Sequence, residues 1–440
     1  MKKILFVIAF ITAFSLRAQQ TISGTFSPAD EYTWLIVYRI NPAALNYIAD
    51  TAIKNGEFAL NIPAGAEPGM YRLVYAVPQE EFYFDVIYTG KEGIRLSFDA
   101  PSGVTFVSSE ENKVFSSYFE EMNRAKQAII SFYSQGKTDG KAFLKLGEEQ
   151  LRVQKAYEER SKGLKAHEFI KANNPYIASS YESIQDYMAN TKAAYFNSFD
   201  FKNPELQASD FLSDKAANYV FTALPLEPMT PLETEVAMQA NVSTLAEHLQ
   251  GVSEHYQVQL YYKLWSQAAA GGYNDLADFI YTDYLRALAA MTNNQKIIDE
   301  IEVHGRLRLG AIAPEIIWKE AGQHKSLSAL TGAEKYVLVF WSSTCGHCLN
   351  ELPALHKKLK ENPKVKVLAV GLEDDDVNWK VESAKLETFE HAIALGKWDS
   401  DHAHLYAINQ TPTYFILDTE KRIIAKPESD KGVIEFLEKN

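Results

Sequence analysis

Residues 340–353 read FWSSTCGHCLNELP and hold the two cysteines of a 440-residue chain, Cys345 and Cys348. With no other thiol, the fold cannot rest on a framework of disulfides and must be stabilised by packed cores. A bridge between the two would close so short a loop that it would constrain the unfolded chain little. A reactive pair is therefore a better reading than a structural clip.

The compartment decides what such a pair can do. Lys2 and Lys3 precede an almost unbroken apolar run of 11 residues, Ile4 to Phe14, about half of the roughly 20 needed to span a bilayer. The spacing predicts a signal peptide over 1–18, cleaved after Ala18, and an exported, periplasmic protein. That protein is expected to be soluble after cleavage, membrane association staying open. Loss of Lys2, Lys3 and Arg17 with no acidic residue would take the net charge from −13 to −16. So acidic a surface argues against nucleic acid as a partner.

The rest of the chain reads as three regions. From 19 to 108, short β-branched and aromatic runs (TISGTF, YTWLIVYRI, GEFALNI, YRLVYAV, EFYFDVIYT, GIRLSF) alternate with turns such as Asn55-Gly56 and Pro68-Gly69. They predict an all-β sandwich or barrel. From 109 to 304 apolar residues recur at helical spacing, an all-α region with breaks at Gly136–Gly140 and Asn173–Pro175. Its aromatic stripe, including Tyr256, Tyr261, Trp265 and Tyr284, reads more naturally as helix core than as a peptide groove. From 305 to 440 strands and helices alternate and end in a hairpin, TYFILD with RIIAK, which gives an α/β fold with a mixed central sheet flanked by helices.

The strand Tyr336–Trp341 should run through a short turn into a helix that begins at Cys345. There, unpaired backbone N–H groups and the helix dipole stabilise a thiolate. Cys345 is the expected nucleophile. Cys348, one turn further along the same face, is the expected resolving thiol and can form a disulfide with Cys345. Glu351, three residues on, is the nearest candidate to take the proton Cys348 must lose.

FWSSTCGHCLNELP resembles the active-site segment of thioredoxin-fold proteins. GAIAPEI (310–316) and YAINQTPTYFILD (406–418) are similar to the opening and the cis-proline segment of the TlpA/ResA-like exported branch. The β region resembles a domain of unknown function that often precedes such modules. The resemblance implies a thioredoxin fold over 305–440 and a thiol–disulfide oxidoreductase acting on protein thiols and disulfides, with a membrane electron donor as partner. It also implies a cis Pro412 facing the cysteines, backbone substrate binding at Thr411, and Trp341 packed beside the site. Glu351 falls where these members carry a glutamate, and Val339 where cytosolic thioredoxins carry a buried aspartate.

Two departures bear on direction. Thr344 stands in place of a common tryptophan. His347 makes the Cys-Gly-His-Cys sequence of protein disulfide isomerase, and a histidine there can favour the thiolate. The potentials of thioredoxin and the isomerase differ by about 4 kcal/mol. The expected activity is a reductase, with isomerase, oxidase, or a ligand-binding protein carrying a secondary redox domain as alternatives. A peroxiredoxin would need proline where Leu338 stands. No metal or cofactor is called for: zinc would need further ligands, and His391, His402 and His404 read as ordinary surface or helix residues.

Overall fold

A computed structural model describes residues 20–439 apart from Ala43 and Ala321; the predicted signal peptide lies outside the described residues. The chain divides into two compact units that meet in sequence at Thr292 and Asn293.

The first unit opens with eight strands: β1 (Thr21–Ser27), β2 (Trp34–Asn41), β3 (Ala44–Ala52), β4 (Glu57–Asn61), β5 (Gly69–Val74), β6 (Tyr83–Tyr88), β7 (Ile94–Asp99) and β8 (Gly103–Phe106). They form two four-stranded sheets, ordered β4-β1-β7-β8 and β3-β2-β5-β6. Alternate residues such as Leu35 and Val37, Phe58 and Leu60, and Leu96 and Phe98 point into one shared core, as period-two patterning requires. The β1–β7 pair is parallel, and a Cβ on Gly24 would lie 2.1 Å from the Leu96 carbonyl oxygen, so only glycine permits this approach.

The helical region begins at Glu110–Ser134 and Gly140–Arg160. Asn112 fastens it to the sheet: Ile87 N–H donates to Asn112 Oδ1 at 2.8 Å, and Asn112 Nδ2 donates to Ile87 O at 2.8 Å. The side-chain amide thus pairs with β6 as another strand would and closes an edge otherwise open to water. One residue earlier, the Glu111 carboxylate accepts from Lys165 N and Ala166 N, both at 3.0 Å, and so holds the unpaired first N–H groups of helix Ala166–Ala172. Thr230 and Glu233 form a reciprocal capping box around Pro231. The aromatic stripe is core and not a groove: Tyr256, Tyr261 and Trp265 are buried, and Tyr261 stacks on Tyr284.

The second unit begins with helix Gln295–Leu307, which sequence periodicity assigned to a helical region ending at 304. Leu307 and Val303 pack into the C-terminal core, and Arg306 Nε donates to Leu405 O at 2.9 Å, so this helix belongs to the C-terminal unit. After it comes a hairpin of β9 (Ile317–Glu320) and β10 (Gln323–Ser326). The central sheet is β11 (Lys335–Trp341), β12 (Val365–Glu373), β13 (Glu390–Leu395), β14 (Thr413–Leu417) and β15 (Ile423–Ala425), in the order β13-β12-β11-β14-β15. β12 runs parallel to β11 and β13, while β14 is antiparallel to β11 and β15. Every β11 residue from Tyr336 on is buried, with Tyr336, Leu338 and Phe340 in the core on one face and Val337, Val339 and Trp341 on the other. Helices on both faces account for that continuous apolar run.

Replacing Asn112 with alanine should strand a buried N–H and a buried C=O on Ile87 and cost about 2–4 kcal/mol. Urea unfolding monitored by far-UV circular dichroism checks this, and an unchanged midpoint would show that the edge is satisfied in another way.

Candidate active site

Buried β11 delivers the chain to the edge of the sheet at Trp341, and Ser342–Thr344 turn it into helix Gly346–Leu359. Cys345 is the N-cap of that helix, with extended backbone (φ −87°, ψ 117°). Its Sγ accepts from Cys348 N–H at 3.4 Å, the place a serine or aspartate oxygen takes in an ordinary cap. The turn is anchored by Glu373 at the end of β12, 3 % exposed, whose carboxylate accepts from Ser343 N–H and from Ser342 Oγ at 3.4 Å.

The two sulfurs are driven in opposite directions. Partial burial opposes ionisation of Cys345, but hydrogen bonds from the Cys348 thiol and backbone N–H, with further help from the Thr411 side chain and His347 N–H, hold it below the ordinary thiol range. Cys348 is fully buried, and that burial, with its hydrogen bond to Cys345, pushes it up to about 12. At neutral pH the accessible sulfur is therefore the one favoured as thiolate, while its partner keeps its proton. Both cysteines are free thiols in this structure.

Across from the helix, the Thr411–Pro412 peptide is cis, and the Cys345 thiol donates to Thr411 O at 3.4 Å. The turn predicted to face the cysteines does so, and it brings main-chain polar groups beside the reactive sulfur. Trp341 is 1 % exposed and packs in the core cluster that holds Cys348 and includes Cys345 at its edge. His347 is exposed and acts on Cys345 through its backbone.

Glu351 occupies the expected helix face, but it bonds to oxygen and nitrogen donors and not to sulfur. Its Oε2 accepts from Tyr414 Oη at 3.0 Å and from Asp430 N–H at 3.2 Å. Tyr414 is 1 % exposed and pairs across the sheet with Val339, in the same core cluster as Cys348. Burial and then the Glu351 charge raise its phenol, with a smaller contribution from Cys348. Sequence reading missed Tyr414 and Glu373. The register of β14 on β11 would have found the first, and an acidic residue closing a buried strand hints at the second.

His391, half-buried, places Nε2 3.0 Å from Leu386 O, and His402 and His404 lie on the short helix Asp401–Leu405. Among the described residues no group of three or more His, Cys, Asp or Glu side chains could hold a metal ion.

Residues 309–426 match the model of the AhpC/TSA family. No curated protein matches the chain. Solved structures similar to it include a domain of a possible thiol-disulfide isomerase from Cytophaga hutchinsonii (30% identity over 30% of this chain and 92% of that one, TM-score 0.27). Another is the thioredoxin domain of a thiol-disulfide oxidoreductase from Bacteroides vulgatus (25% identity, 30% and 97% covered, TM-score 0.27). A thioredoxin-like protein from Bacteroides caccae is similar over more of the chain (17% identity, 52% and 94% covered, TM-score 0.32).

Glu373→Ala should leave the buried Ser343 N–H unpaired and lower the stability of the second unit by about 1–3 kcal/mol. Thermal unfolding of the reduced protein measures it; a variant as stable as the parent would show that Glu373 does not anchor the turn.

Proposed function

We propose that the protein, whose residues 309–426 match the AhpC/TSA family model, is a thiol–disulfide oxidoreductase, an exported, periplasmic reductase of protein disulfides. The observation that carries this is the opposed pair of sulfurs, one favoured as thiolate at a helix start and one buried and protonated behind it. The leader-like residues 1–18 support export, and no described helix is long and apolar enough to cross a membrane.

Cys345 thiolate attacks one sulfur of a substrate disulfide, forming a Cys345–substrate mixed disulfide and releasing the other substrate sulfur as a thiolate that takes a proton from solvent. The substrate strand lies along the Thr411–Pro412 turn, whose backbone offers hydrogen bonds to an extended chain. Cys348 then loses its proton and attacks Cys345 Sγ. The Cys345–Cys348 disulfide forms, the second substrate sulfur leaves, and the substrate has gained two electrons. An exported enzyme of this kind needs a dithiol donor to restore the pair, and a membrane-embedded electron carrier is the proposed source.

Removing the Cys348 proton is the difficult step, since the thiol sits near 12. Glu351 is the base within reach of the site, and its carboxylate is already bonded to the Tyr414 hydroxyl. Tyr414 hands its proton to Glu351 as it receives one from Cys348, so no phenolate need form. His347, exposed beside the nucleophile, remains free to tune the potential, and the same atoms run the reaction backwards toward oxidation.

Cys348→Ser should accumulate a mixed disulfide with a scrambled, disulfide-bonded protein substrate on non-reducing gels, whereas Cys345→Ser should trap none; trapping through Cys348 instead would reverse the assignment. Tyr414→Phe and Glu351→Gln should each slow resolution of the mixed disulfide by about tenfold to a hundredfold, leaving alkylation of Cys345 unchanged. Stopped-flow insulin reduction and iodoacetamide kinetics separate the two steps, and an equal loss in both would make these residues structural.

A further inference from the structure

The helical part of the first unit contains a cavity of about 330 Å³ whose chemistry the redox site does not use. Helices Glu110–Ser134, Gly140–Arg160 and Phe211–Thr222 contribute to it, and its walls include the aromatic rings of Tyr195 and Phe199. Two lysines, Lys126 and Lys215, line it beside the polar side chains of Asn173, Thr191 and Asn218.

Neither lysine forms an ion pair with a carboxylate among the described residues, though Lys215 feels the charge of Asp214 and lies over the Phe211 ring, 5.6 Å from its centroid. Lys215 Nζ donates to Asn173 Oδ1 at 2.6 Å, a neutral acceptor, and its sequence neighbour Asp214 is bonded to Lys263 at 2.7 Å. Burial, then the charge of Lys126, lowers Lys215 to about 8, and burial lowers Lys126 also. Two like charges half-buried together are unfavourable unless an anion joins them. Gln150, 2 % exposed, also lines the cavity.

From the paired lysines and the aromatic walls we propose that the cavity binds a small organic carboxylate with an apolar or aromatic body. Lys126 and Lys215 take the carboxylate, and the rings of Tyr195 and Phe199 take the body. The volume fits the lower end of small-molecule sites, where a few polar groups orient a mostly apolar ligand. The site is independent of the thiol chemistry, and its failure would leave the oxidoreductase reading untouched.

The probe is 3-(4-hydroxyphenyl)propionate, compared with its neutral amide by isothermal titration calorimetry on the purified protein at pH 7. The carboxylate should bind saturably and about tenfold or more tightly than the amide, and Lys126→Met or Lys215→Met should erase that preference while Cys345 alkylation proceeds at the parental rate. If the variants fold poorly, acetic anhydride footprinting of the native protein reads the same contact: the probe should protect Lys126 and Lys215 from acetylation. Absence of binding, equal affinity for acid and amide, or unprotected lysines in the presence of bound probe would each overturn the proposal.

Discussion

A sulfur in the N-cap position is the constraint on which the site depends. An oxygen there would merely satisfy orphan N–H groups; a thiol satisfies them better once it has lost its proton. The cap therefore stabilises both the helix and the Cys345 thiolate by the same contact, Cys348 N–H to Cys345 Sγ. That contact survives only if the turn before it is rigid, and the buried Glu373 carboxylate holds the Ser343 backbone from the neighbouring strand. The cis turn at Thr411–Pro412 closes the other side.

Around this point the sheet sorts its functions by register. Both faces of β11 are buried from Tyr336 on, so the strand presents no further side chain to water before it reaches the turn. Val339, in mid-strand, is apolar, and the polar group near Cys348 comes instead from Tyr414, its partner on β14, and through it from Glu351 on the helix. Splitting the carboxylate and the phenol between helix and strand keeps the carboxylate half-buried and out of the core that holds the fully buried thiol. The arrangement avoids the desolvation cost of a charge beneath the cysteines.

Much of this was legible in the residues. The placement of Cys345, Cys348 and Pro412 was readable because it attaches to local patterns: a strand, a turn, a helix start, an X-Pro step. The sandwich was readable from strands such as YTWLIVYRI, whose buried faces alternate. β3 was not, because its residues are mostly exposed and carry no alternation, and β8 is only four residues long. Helix Gln295–Leu307 has a strong apolar face, but periodicity cannot say which core that face enters; only tertiary packing of Leu307 and Val303 does. Glu373 and Tyr414 act across strands far apart in sequence, and no spacing rule brings them to Cys345 or Cys348. The dilysine cavity was hidden for the same reason, since Lys126, Gln150 and Lys215 lie on three helices.

Two thiols of one short motif are held to ionise far apart, the outer one early and the inner one late. Thiolate absorbance near 240 nm, titrated on the reduced protein with Cys345→Ser as a reference for the inner sulfur, measures this directly. The expected result is a first step below the ordinary thiol range that vanishes in the variant, and no second step until strongly alkaline pH. Two thiols ionising together in the ordinary range, or an early step that persists without Cys345, would contradict it.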